Sequence, residues 1–117
     1  MALQAYQKTQ RATENSRGVE YRLFGQVTGA LMQAQSAGAT GKILIEAIDW
    51  NRRMWSTFAI DCMDEGNKLP NNLRAQIVSL SIWVTKYSSQ VTQKGASLEP
   101  LIDINRTIMQ GLQGSPA

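Results

Sequence analysis

At 117 residues, with 18% charged and 43% hydrophobic side chains, the chain has the length of one domain and an ordinary globular composition, which excludes wholesale disorder. The formal net charge is +3, but its arginines and lysines are scattered without a basic run, which argues against a nucleic-acid footprint. There is no histidine and a single cysteine, Cys62, which excludes an internal disulfide, a Cys/His zinc site and the commonest general base.

Residues 2–13 form a modest amphipathic candidate, with Leu3, Tyr6 and Ala12 as anchors of a short helix that orders on docking; residues 1–15 otherwise read as a mobile arm. They lack the apolar core of a signal peptide, and no apolar run approaches membrane-spanning length, so no membrane insertion and a cytoplasmic location are expected. Asn15 or Ser16 suits the cap of the next helix. The helical period carries that helix from Val19 to Gln35, with Leu23, Phe24, Val27, Ala30, Leu31 and Ala34 on one face. Gly25 and Gly29 point away from this stripe and weaken the helix by about 1 kcal/mol each relative to alanine, so tertiary packing must hold it. Residues 36–41 are a short flexible connector.

From Lys42 to Asp64 a helix gathers Leu44, Ile48, Asn51, Trp55, Phe58 and Cys62 in a narrow sector, widened by Ala47, Met54 and Ala59. Asp49 precedes Arg53 by four residues, the favourable order for a helical ion pair. Trp55 points into the core sector, whereas Trp50 lies at the edge of the stripe. Gly66 suits a left-handed helix end and Pro70 the start of the next element. From Leu73 to about Lys94, Leu73, Ile77, Leu80, Val84, Tyr87 and Val91 alternate spacings of four and three, the pattern of a bundle seam. Ala75, Val78 and Ile82 occupy the other side and Trp83 flanks the seam. Either this helix is central to the bundle, the favoured reading, or its second stripe docks another chain. Gly95-Ala96-Ser97 breaks it, Ser97 suits a cap with Pro100 in the first turn, and a last helix places Leu98, Leu101, Ile102, Asn105, Ile108, Met109 and Leu112 on one face. Residues 114–117 are a frayed tail. The expectation is an all-α fold, a small helical bundle of four main helices plus a short N-terminal helix, forming one domain over residues 1–117.

Catalytic chemistry finds little support. Gly38-Ala39-Thr40-Gly41-Lys42 lacks the spacing, the following Ser/Thr and the preceding strand of a phosphate loop. Asp61, Asp64 and Glu65 diverge around a helix end and read as a solvated terminus. No enzyme, metal or cofactor is expected. The departure from bland patterning is a repeated tetrapeptide: Asp49-Trp50-Asn51-Arg52 and Asp103-Ile104-Asn105-Arg106 each set an asparagine in an apolar stripe. A buried unpaired amide costs about 1–3 kcal/mol, so both need partners. Pairing of Asn51 with Asn105 across two helices would set their register; otherwise each bonds locally or faces a groove that a partner fills.

Several stretches together carry a resemblance: Ala5-Tyr6-Gln7, Glu20-Tyr21-Arg22-Leu23-Phe24-Gly25-Gln26-Val27-Thr28, Ile45-Glu46-Ala47-Ile48-Asp49-Trp50-Asn51-Arg52-Arg53-Met54-Trp55, Leu69-Pro70, Leu73-Arg74-Ala75-Gln76-Ile77 and Pro100-Leu101-Ile102-Asp103-Ile104-Asn105-Arg106. In their order and spacing the chain resembles the FlaF family of flagellar biosynthesis regulators along nearly its whole length. The resemblance implies a small cytoplasmic protein that acts on flagellin before export, alongside an FlbT-type regulator of flagellin translation, with no catalytic or metal motif to carry over.

Two readings follow. The leading one is a flagellin-binding chaperone or adaptor that covers flagellin's amphipathic terminal segments, with Trp50, Met54, Val78, Ile82 and Trp83 as the candidate partner-binding residues. The alternative is a post-transcriptional regulator that touches flagellin mRNA directly through Arg52, Arg53, Arg74 and Arg106 and exposed aromatics.

Overall fold

The computed structural model describes residues 16–114, and these form four helices joined by short connections: α1 (Ser16–Ser36), α2 (Gly41–Met63), α3 (Asn71–Lys94) and α4 (Glu99–Gly114). The expected arm, the N-terminal helix and residues 115–117 of the expected tail lie outside the described residues, while Gly114, expected in the tail, is the last residue of α4. Each boundary has a local cause. Gly38, at φ +60°, ends α1 in a left-handed cap in which the Ala39 N–H donates to the Ala34 carbonyl at 2.9 Å. Gly95, at φ +69°, ends α3, with its N–H on Val91 O and that of Ala96 on Gln90 O. The Ser97 hydroxyl accepts from the Glu99 N–H at 3.1 Å and starts α4.

The end of α2 departs from the sequence reading, because Gly66 does not take a left-handed conformation. Asp64 is extended there (φ −73°, ψ 133°), and its carboxylate accepts from the Gly66 N–H at 2.9 Å. The carbonyls left open at that helix end are taken by Arg74 from the first turn of α3. Its Nε donates to Cys62 O and one Nη to Asp64 O, both at 2.7 Å. A cation on the last carbonyls of a helix satisfies orphan acceptors and complements the helix dipole together.

Around the bundle the order is α3, α2, α1, α4, neighbours running antiparallel. The α2–α3 pairing is the most extensive, α1 lies against both α2 and α4, and α3 and α4 meet least, which leaves one seam of the ring loosely closed. The molecule is correspondingly flat, 49 × 34 × 20 Å. Phe24, Val27 and Leu31 of α1, Ile48, Trp55 and Phe58 of α2, Ile77 and Val84 of α3 and Leu101, Ile102 and Ile108 of α4 build one continuous core. Phe24 sits edge-on to both Trp55 and Phe58, with ring centroids 5.5 and 5.3 Å apart. Gly25 faces α4, where a Cβ would stand 3.5 Å from Met109 Cε. The reading of α3 as the central helix is overturned. Its buried stripe is Ile77, Val84, Ser88 and Val91, while Leu73, Leu80 and Tyr87 are only half-buried and Ala75 and Ile82 face outward. An edge helix flanked by a loose seam cannot cover two stripes.

Candidate functional site

A polar cluster lies at the centre of the apolar core. Asn51 and Asn105 are both 0% exposed, and Asn105 Nδ2 donates to Asn51 Oδ1 at 2.8 Å, joining α4 to α2. The same amide nitrogen donates to Thr28 Oγ1 on α1 at 3.1 Å, and Asn105 Oδ1 accepts from the Trp55 indole N–H at 2.8 Å. An indole can only donate, so it fixes the Asn105 oxygen toward Trp55 and the nitrogen toward Asn51 and Thr28, and that choice in turn turns the Asn51 oxygen toward Asn105. Asn51 Nδ2 is left buried without a partner among the described residues. Thr28 was not singled out in the sequence, although it occupies the same sector as Phe24 and Leu31 and so carries the same signal, a polar residue within an apolar stripe.

The five residues expected to meet a partner do not share a surface. Met54 is 5% exposed and belongs to the core beside Trp55, so it offers no anchor. Trp50, 38% exposed, closes one end of an open groove of about 620 Å³ between the second half of α1 and the first half of α2. The floor is alanine, from Ala30, Ala34, Ala37, Ala39 and Ala47, and Ile43 stands on its rim. Trp83, also 38% exposed, belongs instead to the loose seam, where Leu80, Pro100, Asp103, Ile104 and Thr107 complete a groove of about 400 Å³ between α3 and α4. Trp83 stacks on Tyr87 at 5.0 Å, and the Tyr87 hydroxyl donates to Ser97 O at 2.6 Å, which holds this aromatic pair in place. Ile82, 56% exposed, faces outward on α3, and Val78 lines a small hollow beside Cys62 and Arg74. The alanine floor was not visible in the sequence as a site, because alanine reads the same whether it is covered by its own chain or left open.

The four arginines of the messenger-RNA reading are each engaged within the chain. Arg52 and Arg53 each reach Asp49 at 3.1 Å. Arg74 holds the end of α2, and Arg106 is turned across to α1, with an Nη 3.3 Å from Met32 Sδ. Among the described residues no helix is long and apolar enough to cross a membrane.

Compared with known proteins, residues 2–112 match the family model described as flagellar protein FlaF. No curated protein and no solved structure matches the chain.

Proposed function

Because the chain belongs to the FlaF family and so has its role in flagellar biogenesis, we propose that it binds unassembled flagellin in the cytoplasm as a chaperone or adaptor, before export. The observation that carries this reading is the groove between α1 and α2. Ala30 and Ala34 stand four apart on α1, Ala37 and Ala39 follow in the connection that ends it, and Ile43, Ala47 and Trp50 stand four and three apart along α2. The alanines make a shallow trough into which the apolar face of an incoming amphipathic helix can settle closely. Trp50 and Ile43 stand at its edge, and tryptophan is among the residue types enriched where binding energy concentrates. The terminal segments of flagellin are amphipathic, and before assembly their apolar faces need cover.

The messenger-RNA reading is less well supported, because Arg52, Arg53, Arg74 and Arg106 are committed to Asp49, to helix carbonyls and to Met32 rather than gathered on one face. The test is capture of purified flagellin by the wild-type chain and by Trp50→Ala at two salt concentrations. Retention by the wild type, a loss of about tenfold or more in the variant and weak salt dependence support the reading. Equal capture by both chains overturns the choice of groove. Binding of flagellin message that falls steeply with salt, in place of flagellin capture, overturns the protein reading itself.

A further inference from the structure

We propose that the groove between α3 and α4 is a second docking site, and that it takes an amphipathic helix carrying a lysine or arginine at the margin of its apolar stripe, with Asp103 as the counter-charge. This inference is independent of the flagellin reading and concerns the opposite seam of the bundle. It starts from the two copies of the repeated tetrapeptide, which the fold treats differently. In α2, Asp49 is neutralised by Arg52 and Arg53, both at 3.1 Å. In α4, Asp103 has an arginine at the same offset, yet Arg106 is directed to Met32 Sδ, and the residue four further on is Thr107, whose hydroxyl donates to the Asp103 carbonyl. The Asp103 carboxylate is exposed and has no ion-pair or hydrogen-bond partner among the described residues.

That carboxylate lines an apolar trough formed by Leu80, Trp83, Pro100 and Ile104. The trough is open because α3 and α4 are the neighbouring pair that meets least. Its aromatic wall is already set by the Trp83–Tyr87 stack and the Tyr87 bond to Ser97 O, so little side-chain freedom is lost when it is covered. Both walls are helices, whose backbone groups are bonded internally. An extended peptide laid between them would bring backbone N–H and C=O groups that find no partner, whereas a helix brings none. The net charge of +3 does not decide the sign here: Arg106, three residues on, is held across to Met32, and Asp103 is the one charged residue among the described residues that line the groove.

The test uses the full chain and two synthetic amphipathic peptides of about five helical turns, identical except for a lysine or a glutamate beside the apolar stripe, with affinity measured by titration calorimetry. The lysine peptide is expected to bind on the order of threefold or more tighter than the glutamate peptide, the size of an exposed ion pair. Asp103→Lys should invert that preference and Trp83→Ala should weaken both peptides, each variant keeping the wild-type circular dichroism spectrum. Equal affinities for the two peptides, a preference that survives Asp103→Lys, or binding lost on Trp50→Ala instead of Trp83→Ala overturns the proposal. It is likewise overturned if sedimentation shows a dimer that disappears in Asp103→Lys and excludes both peptides, because the occupant is then a second copy of this chain.

Discussion

Replacing Asn105 by alanine tests the centre of the fold. The substitution removes three hydrogen bonds at once, from the Trp55 indole, to Asn51 Oδ1 and to Thr28 Oγ1. The Thr28 hydroxyl can turn to a carbonyl of its own helix. The other two groups have no such exit. The indole N–H stays buried without an acceptor, and Asn51, whose Nδ2 already lacks a partner, loses the donor to its oxygen as well. At about 1–3 kcal/mol for each orphaned buried group, the expected loss is about 2–6 kcal/mol, with a small cavity adding to it. Against a total stability of about 5–15 kcal/mol for a domain this size, that is a large fraction. The assay is urea unfolding followed by far-ultraviolet circular dichroism on Asn105→Leu, Asn51→Leu and the double variant, beside Asn105→Ala. In the double variant the mutual bond is lost once instead of twice, so it should be less destabilised than the sum of its singles by about 1 kcal/mol or more. A loss below about 1 kcal/mol for Asn105→Ala, or additivity within about 0.3 kcal/mol in the cycle, refutes the assignment of this cluster as a buried register-setting network.

Arg74→Ala should lower stability by about 1–3 kcal/mol by reopening the last carbonyls of α2, and Arg74→Lys should restore only part of it, because an ammonium cannot reproduce the planar fork; thermal melts decide. Gly29→Ala should raise the melting temperature, since nothing lies within 4 Å of the added methyl and helix propensity improves by about 1 kcal/mol. The same exchange at Gly95, held at φ +69°, should lower it by a comparable amount, and equal responses at the two sites would contradict the assigned cap. Trp55→Ala should cost about 3–5 kcal/mol in denaturant titration, because its ring is buried among Phe24 and Phe58 and its N–H is bonded to Asn105.

The helices α1, α2 and α4 were legible in the sequence because each buries one continuous stripe, and the expected ends fall within a few residues of the observed ones. α3 was not fully legible. Its inward side includes Ser88 and its outward side carries Ala75 and Ile82, and periodicity cannot distinguish an apolar face that is covered from one that is open. The asparagines announced themselves as polar positions inside apolar stripes. That Asn105 is the hub and Asn51 its dependant was not readable, because it follows from which helix brings the Trp55 indole N–H within reach. Of the candidate anchors, Met54 failed through phase: it lies next to Trp55 and turns inward with it. Trp50 and Trp83 were recognisable as edge residues, but their separation onto two grooves is a product of non-local helix order.

The corner held by Arg74 also decides how the single thiol meets its surroundings. Cys62 is 2% exposed and borders the small hollow formed with Asn71, Ala75 and Val78, and its own carbonyl is one of the two that Arg74 grips. A soluble thiol reagent can therefore react only when that corner unfastens, so its rate of modification reads the local opening of the α2–α3 junction directly and needs no introduced label.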